Sequence, residues 1–201
     1  MTREEILQIA KPILFNTEMV RAILEDRKTA TRRLIKPPYF VDGDENNPGS
    51  LLVMRTAPKG SKIYRQIGKM SYPDKPYKIG DYLYVRETWC NVNKPECEPD
   101  YYYFSDTRIC EDYDSTEWTW RPSIHMPKEA ARIFLKVTDV RFERLQDMDT
   151  PNKEHFVAEG AKDKHDFIRI WYETMKLDER EKYGWYADPW VWVIEFERVE
   201  V

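Results

Sequence analysis

The sequence predicts an α+β fold: a small, mostly antiparallel β-barrel with short helices plugging its ends. Three observations predict it. The patterns run helix, several strands, two short helices, closing strand. The strand segments are crowded and aromatic, which does not suit a βαβ series. Hydrophobic residues make up 41% of the 201, enough for one core, and 7 Trp, 13 Tyr and 8 Phe against 7 Gly argue against disorder. One domain, 1–201, is expected, with an N-terminal helix (1–10) and an insertion at about 37–78.

Each element has a local cause. Thr2 and Glu5 form a capping box for the first helix. Lys11 to Phe15 reads as a short strand. An amphipathic helix follows, with Thr17 as N-cap and Glu18 at its positive end. Met19, Val20, Ile23, Leu24 and the stem of Arg27 fall on one face. From Pro37 to Lys78 proline and glycine punctuate the chain, and 51–54 and 62–65 read as short strands inside this insertion. Tyr82 to Glu87 is a strand by aromatic and β-branched content. The aromatic runs 101–104 and 117–120 read as a hairpin, and 132–142 as a long strand with a bulge. Thr150-Pro151 starts a helix that stops at Gly160. A second covers 163–176 and buries Phe167, Ile170, Trp171 and Met175. In the closing strand Trp190, Trp192, Ile194 and Phe196 share one face.

Composition excludes several functions. A net charge of -4 argues against a general nucleic-acid coat protein, although local basic patches remain. No segment approaches the ~20 apolar residues a bilayer span needs, so no membrane partner is expected. The N-terminus lacks the apolar run of a signal peptide, and a cytoplasmic protein is expected. Cys90, Cys97 and Cys110 are odd in number, and with His125 they offer no CxxC pair. Neither a metal nor a cofactor is expected.

The densest chemical signal is the run from Arg27 to Arg33. Arg27, Lys28, Arg32 and Arg33 are cations, and Thr29 and Thr31 are hydroxyls. This suits an anion or a polarised carbonyl; the plain alternative is a solvated basic turn. Lys28 and Thr31 share a helical face if the helix extends that far, and a desolvated Lys can act as base for a weak alcohol nucleophile. Glu159 sits at the wrong end of its helix dipole, which points to a partner such as Lys28; the alternative is a solvated carboxylate. Arg86 could clamp a phosphate and Trp89 stack on a base, or Trp89 is core and Arg86 pairs with an acid. His125, between two prolines, could move a proton or be a structural residue. His155 and His165 are given no role.

The run Asp26-Arg27-Lys28-Thr29-Ala30-Thr31-Arg32 resembles the Gly-x-Lys-x-x-x-Arg signature of ASCH domains. The segments Gly80 to Trp89, Pro122 to Pro127 and Asp188 to Phe196 are similar to the prophage-encoded branch of that family. The resemblance implies a PUA-like β-barrel with a ligand cleft and a role in binding RNA or modified nucleotides. One branch, the bacterial acetylcytidine amidohydrolases, uses a Lys, a Thr three residues later and a distant Glu, which map onto Lys28, Thr31 and Glu159. The chain departs in one place: Asp26 stands where the signature has Gly. If that position needs a positive φ, Asp fits at some cost, and its charge would raise the Lys28 pKa.

Three readings follow. The first is a module that binds RNA or a modified nucleotide in a basic cleft formed by Arg27, Arg32 and Arg33, with Arg86, Trp89 and His125. The second is an amidohydrolase deacetylating acetylcytidine-type nucleosides through Lys28, Thr31 and Glu159. The third is a phage accessory protein acting through protein contacts, with the aromatic insertion as its surface. The enzyme requires Lys28 and Thr31 within hydrogen-bond reach in a concave pocket, with Glu159 across from them.

Overall fold

The computed structural model describes residues 1–35, 41–44, 47–53, 76–91, 101–106, 119–151 and 153–200. The insertion therefore lies largely outside the described residues, as do Cys97, Cys110, the strand expected at 62–65 and the run 117–118. Within the insertion, β3 (Val41–Asp44) and β4 (Asn47–Val53) pair as an antiparallel hairpin.

The fold is α+β. Helix α1 (Arg3–Ile9) carries the expected Thr2–Glu5 capping box and buries Ile6. Strand β1 (Lys11–Leu14) follows, then α2 (Thr17–Leu24) and β2 (Ala30–Leu34). The cap of α2 is Asn16 rather than Thr17: its side chain accepts the Met19 N–H at 2.8 Å. β5 (Tyr82–Arg86), β8 (Phe134–Arg144) and β9 (Trp190–Val199) complete a five-stranded sheet in the order β1, β5, β8, β9, β2. β1 runs parallel to β5, and every other pair is antiparallel. The expected bulge in β8 appears as a register shift between Val137 and Asp139.

The edges of this sheet are β1 and β2, and among the described residues no ladder joins them. A side chain spans the gap: Arg33 Nη2 on β2 donates to the Leu14 carbonyl on β1 at 2.7 Å. The second run of the expected 101–120 hairpin lies partly outside the described residues. β7 (Tyr101–Tyr103) pairs with β6 (Trp89–Asn91), and Trp89 forms an isolated bridge to Arg121.

Helix α3 (Glu154–Ala158) begins later than Thr150, because Leu145–Met148 makes a 3-10 turn and Lys153 takes a left-handed φ of 51°. It ends as expected before Gly160, whose φ is 85°. Helix α4 (Lys164–Glu173) is capped by Asp163 and buries Phe167, Ile170 and Trp171. A short α5 (Arg180–Tyr183) leads back to β9.

Apolar clusters cover both faces of the sheet. Trp192, Ile194 and Phe196 join one with Phe15, Val20 and Ile23. Val191 and Val193 join the other, under α3 and α4, with Phe156 and Phe167. The second face of β9 is covered at Val191 and Val193 and opens towards the end of the strand, where Glu195 is half-buried and Glu197 exposed. Ile6, Trp89, Met126 and Phe134 form a third cluster. Among the described residues, no helix is long and apolar enough to cross a membrane.

Candidate functional site

The site grows from two chain reversals. Helix α2 ends at Leu24, and Asp26 turns the chain with φ 56°. The backbone N–H groups of Arg27 and Lys28 both donate to the Ala22 carbonyl, at 2.8 and 3.0 Å. This fold-back sends the Lys28 side chain inward. At the far end of the sequence, Glu159 closes α3 and Gly160 reverses the chain. The Thr29 N–H donates to the Ala158 carbonyl at 2.9 Å, which locks the two reversals together.

Lys28 is 3% exposed and Glu159 4%. Lys28 Nζ donates to the carbonyls of Ala30 and Glu159, both at 2.7 Å, and to Glu159 Oε2 at 3.2 Å. Three acceptors match the three protons of an ammonium group. Burial pushes the Lys28 pKa down from its usual value, aided by Arg33 and Arg32, while Glu159 opposes the shift. The sequence expectation that Asp26 would raise it is corrected: Asp26 is turned outward and lies 3.5 Å from Arg198.

The second Glu159 oxygen accepts from Arg32 Nη1 at 3.0 Å. Arg32 then reaches Glu143, through Nε at 3.0 Å and through Nη2. Glu143 meets Arg141, which also pairs with Asp139 and Glu195. The result is a chain of alternating charges across β2, β8 and β9. Such a network repays the cost of desolvating its ions only because each charge has an opposite neighbour.

Strand alternation turns Thr31 to the other side of β2 from Arg32. Thr31 is 3% exposed, and its hydroxyl has no hydrogen-bond partner among the described residues. Lys28 and Thr31 do not share a helical face, since the helix ended at Leu24; Lys28 Nζ bonds to Ala30 and Glu159 instead. Thr31, Arg32, Arg33 and Glu159 all line one cleft of about 300 Å³. Its apolar wall comes from Met19 and from Phe167, Ile170, Trp171 and Met175 of the α4 region, and Asn16 also borders it.

The remaining expected ligand residues are dispersed. Arg27 is exposed and tied to Glu25 at 2.5 Å. It borders a separate groove of about 410 Å³ between α2 and α4. Arg33 Cζ stands 5.5 Å from the Phe15 ring centre, and Lys28 Nζ stands 5.3 Å from the same ring. Arg86 donates to the Ile124 carbonyl, in the turn that carries exposed His125. Trp89 is 4% exposed and packs in the third cluster, so its ring serves the core. None of Arg86, Trp89 and His125 borders the Thr31 cleft.

Sequence reasoning missed Glu143, Asn16 and the α4 wall as parts of the site. The wall had a signal, Trp171 and Met175 at i and i+4, but it read as core alone. It also missed a second buried ion pair: Glu87, 2% exposed, accepts from Arg132 Nε at 3.0 Å and from the Ser105 hydroxyl at 2.6 Å. Among the described residues, no group of three or more His, Cys, Asp or Glu is placed to hold a metal ion.

No protein-family model, curated protein or solved structure matches the chain.

Proposed function

We propose that this protein binds a modified nucleoside or nucleotide in the cleft between β2 and α4. The observation that carries the reading is the cleft itself. The cleft is lined by apolar side chains including Trp171 and also by Arg33, Glu159 and Thr31, whose hydroxyl has no partner among the described residues. Ligand sites combine these two features. At about 300 Å³ the cleft suits one base with its sugar rather than a strand. The basic run does not fan out as a patch, because Arg27 is held by Glu25 and Arg32 by Glu143 and Glu159. The resemblance to ASCH domains and their PUA-like barrel supports the same reading, and Arg33 bridging the two edge strands suits a sheet curling toward closure.

The hydrolase is the second reading, favoured by one observation: Thr31 offers a hydroxyl with no hydrogen-bond partner among the described residues. In that reaction Thr31 Oγ attacks the acetyl carbonyl and passes its proton to neutral Lys28. The C–N bond breaks, the amine leaves with a proton, and water frees acetate from the acyl-threonine. Lys28 Nζ is bonded to the Ala30 and Glu159 carbonyls and to Glu159 Oε2 rather than to Thr31, which ranks binding ahead of catalysis.

Incubation with acetylated cytidine tests both. Saturable binding without acetate release is expected. Acetate release that disappears in both Thr31→Val and Lys28→Met would establish the hydrolase instead. Absence of saturable binding by the wild type would overturn both readings.

A further inference from the structure

We infer that the ligand carries an oxyanion, a phosphate monoester or a carboxylate, seated on Arg33 and Thr31. This rests on the nucleoside reading of the cleft and names the charged group that such a ligand must add.

Arg33 differs from the other arginines around the site. Arg27, Arg32, Arg132, Arg141 and Arg169 each contact at least one carboxylate. Arg33 contacts none among the described residues. A guanidinium has five N–H donors, and among the described residues only Nη2 has a hydrogen-bond partner, the Leu14 carbonyl. The residue is half-buried, with burial pushing its pKa down and Tyr77 and Glu159 opposing, and its unpaired nitrogens stay open to the cleft. A guanidinium with unspent donors and no carboxylate in direct contact can take a bidentate oxyanion without breaking an existing ion pair.

The neighbouring groups agree. Thr31 lies two residues earlier on the same face of β2, about 7 Å along the strand. Its hydroxyl has no partner among the described residues. Asn16 also borders the cleft, and since its Oδ1 accepts from Met19 N–H, its amide NH₂ is left to donate. The acceptor most able to repel an anion, Glu159, already has Lys28 on one oxygen and Arg32 on the other. Arg32 and Arg33 border the cleft together with Glu159 and Glu179, and of the two cations Arg32 is already bound to Glu159 and Glu143. A neutral nucleoside fills the apolar wall and leaves Arg33 unanswered; a nucleoside monophosphate satisfies both.

Calorimetric titration of the intact protein tests this with cytidine, cytidine 5′-monophosphate, inorganic phosphate and acetate. Because a charge-assisted bidentate contact exceeds a neutral one, the monophosphate is expected to bind about tenfold more tightly than cytidine. Arg33→Gln should erase that difference while leaving cytidine binding in place. Arg33→Lys should restore only part of it, because ammonium lacks the planar fork. Lys136→Gln, an exposed cation on β8, should change neither affinity. Thermal unfolding of each variant confirms that it is folded. Equal wild-type affinities for cytidine and its monophosphate would sink the oxyanion seat and leave the nucleoside reading standing. Arg33-dependent binding of phosphate or acetate, without binding of either cytidine compound, would do the reverse. Phosphate outcompeting acetate assigns the monoester, and the opposite order assigns a carboxylate. No binding by any of the four overturns both.

Discussion

Glu159 is the residue on which the site depends. It gives one oxygen to Lys28 and the other to Arg32, and its own carbonyl takes a third bond from Lys28. Glu159→Gln keeps the shape and removes the charge. Two buried cations would then share a neutral amide. Breaking a buried pair by removing one partner costs about 3–5 kcal/mol, so a urea midpoint displaced by that much is expected. Adding Lys28→Met removes one stranded cation, and the double variant should recover part of the loss, by about 0.5–3 kcal/mol of coupling. A Glu159→Gln penalty below about 1 kcal/mol, the range of exposed pairs, would show that the network contributes little to stability. The partnership was legible in the sequence, because a carboxylate at a helix C-terminus is misplaced unless a cation answers it. Arg32 as the second partner was not, since an alternating strand gives no sign of which of its faces meets α3.

Two left-handed residues position this pair, one at the end of α2 and one at the end of α3. Asp26 has open surroundings, and Asp tolerates the αL region at modest cost. Gly160 has none: an added Cβ would lie 2.9 Å from Ala22 Cβ and 3.3 Å from Lys28 Cδ. Gly160→Ala therefore combines an unfavourable φ with a clash against the lysine stem, and a loss of about 1–3 kcal/mol is expected. Asp26→Gly should stay within about 1 kcal/mol of the parent. Chemical denaturation of both variants checks the contrast; equal effects would mean that the α3 reversal has room to adjust. The elements themselves were legible where their signals were local, as with the Thr2–Glu5 box, the β8 bulge and the stop at Gly160. The misreadings lay where tertiary contact decides. Asn16 rather than Thr17 caps α2, and β7 finds a partner in β6, which its own aromatic run did not announce. Val191 and Val193 meet helices that strand periodicity alone cannot place.

At the scale of the whole molecule, charge decides between a cleft and a nucleic-acid surface. The chain carries a net charge of -4, and the cations near the site are directed inward or paired. A protein that grips single-stranded RNA through Z phosphate contacts loses affinity with salt at a slope of about -0.7Z on a log–log plot. A surface using Arg27, Arg32, Arg33 and Arg86 would give a slope near -3 by that rule, about a fifty- to hundredfold loss between 50 and 200 mM salt. A cleft that seats one oxyanion on Arg33 gives a slope of about -1 or shallower, a loss of roughly fourfold or less over the same range. Affinities for a nucleoside monophosphate and for an oligoribonucleotide, each measured at both salt concentrations, separate the two cases. The expected result is a shallow slope for the monophosphate and no tighter binding of the oligomer. A steep slope with the oligomer bound more tightly would mean that the basic run works as an open surface, and that the ion pairs holding Arg27 and Arg32 give way to phosphate on binding.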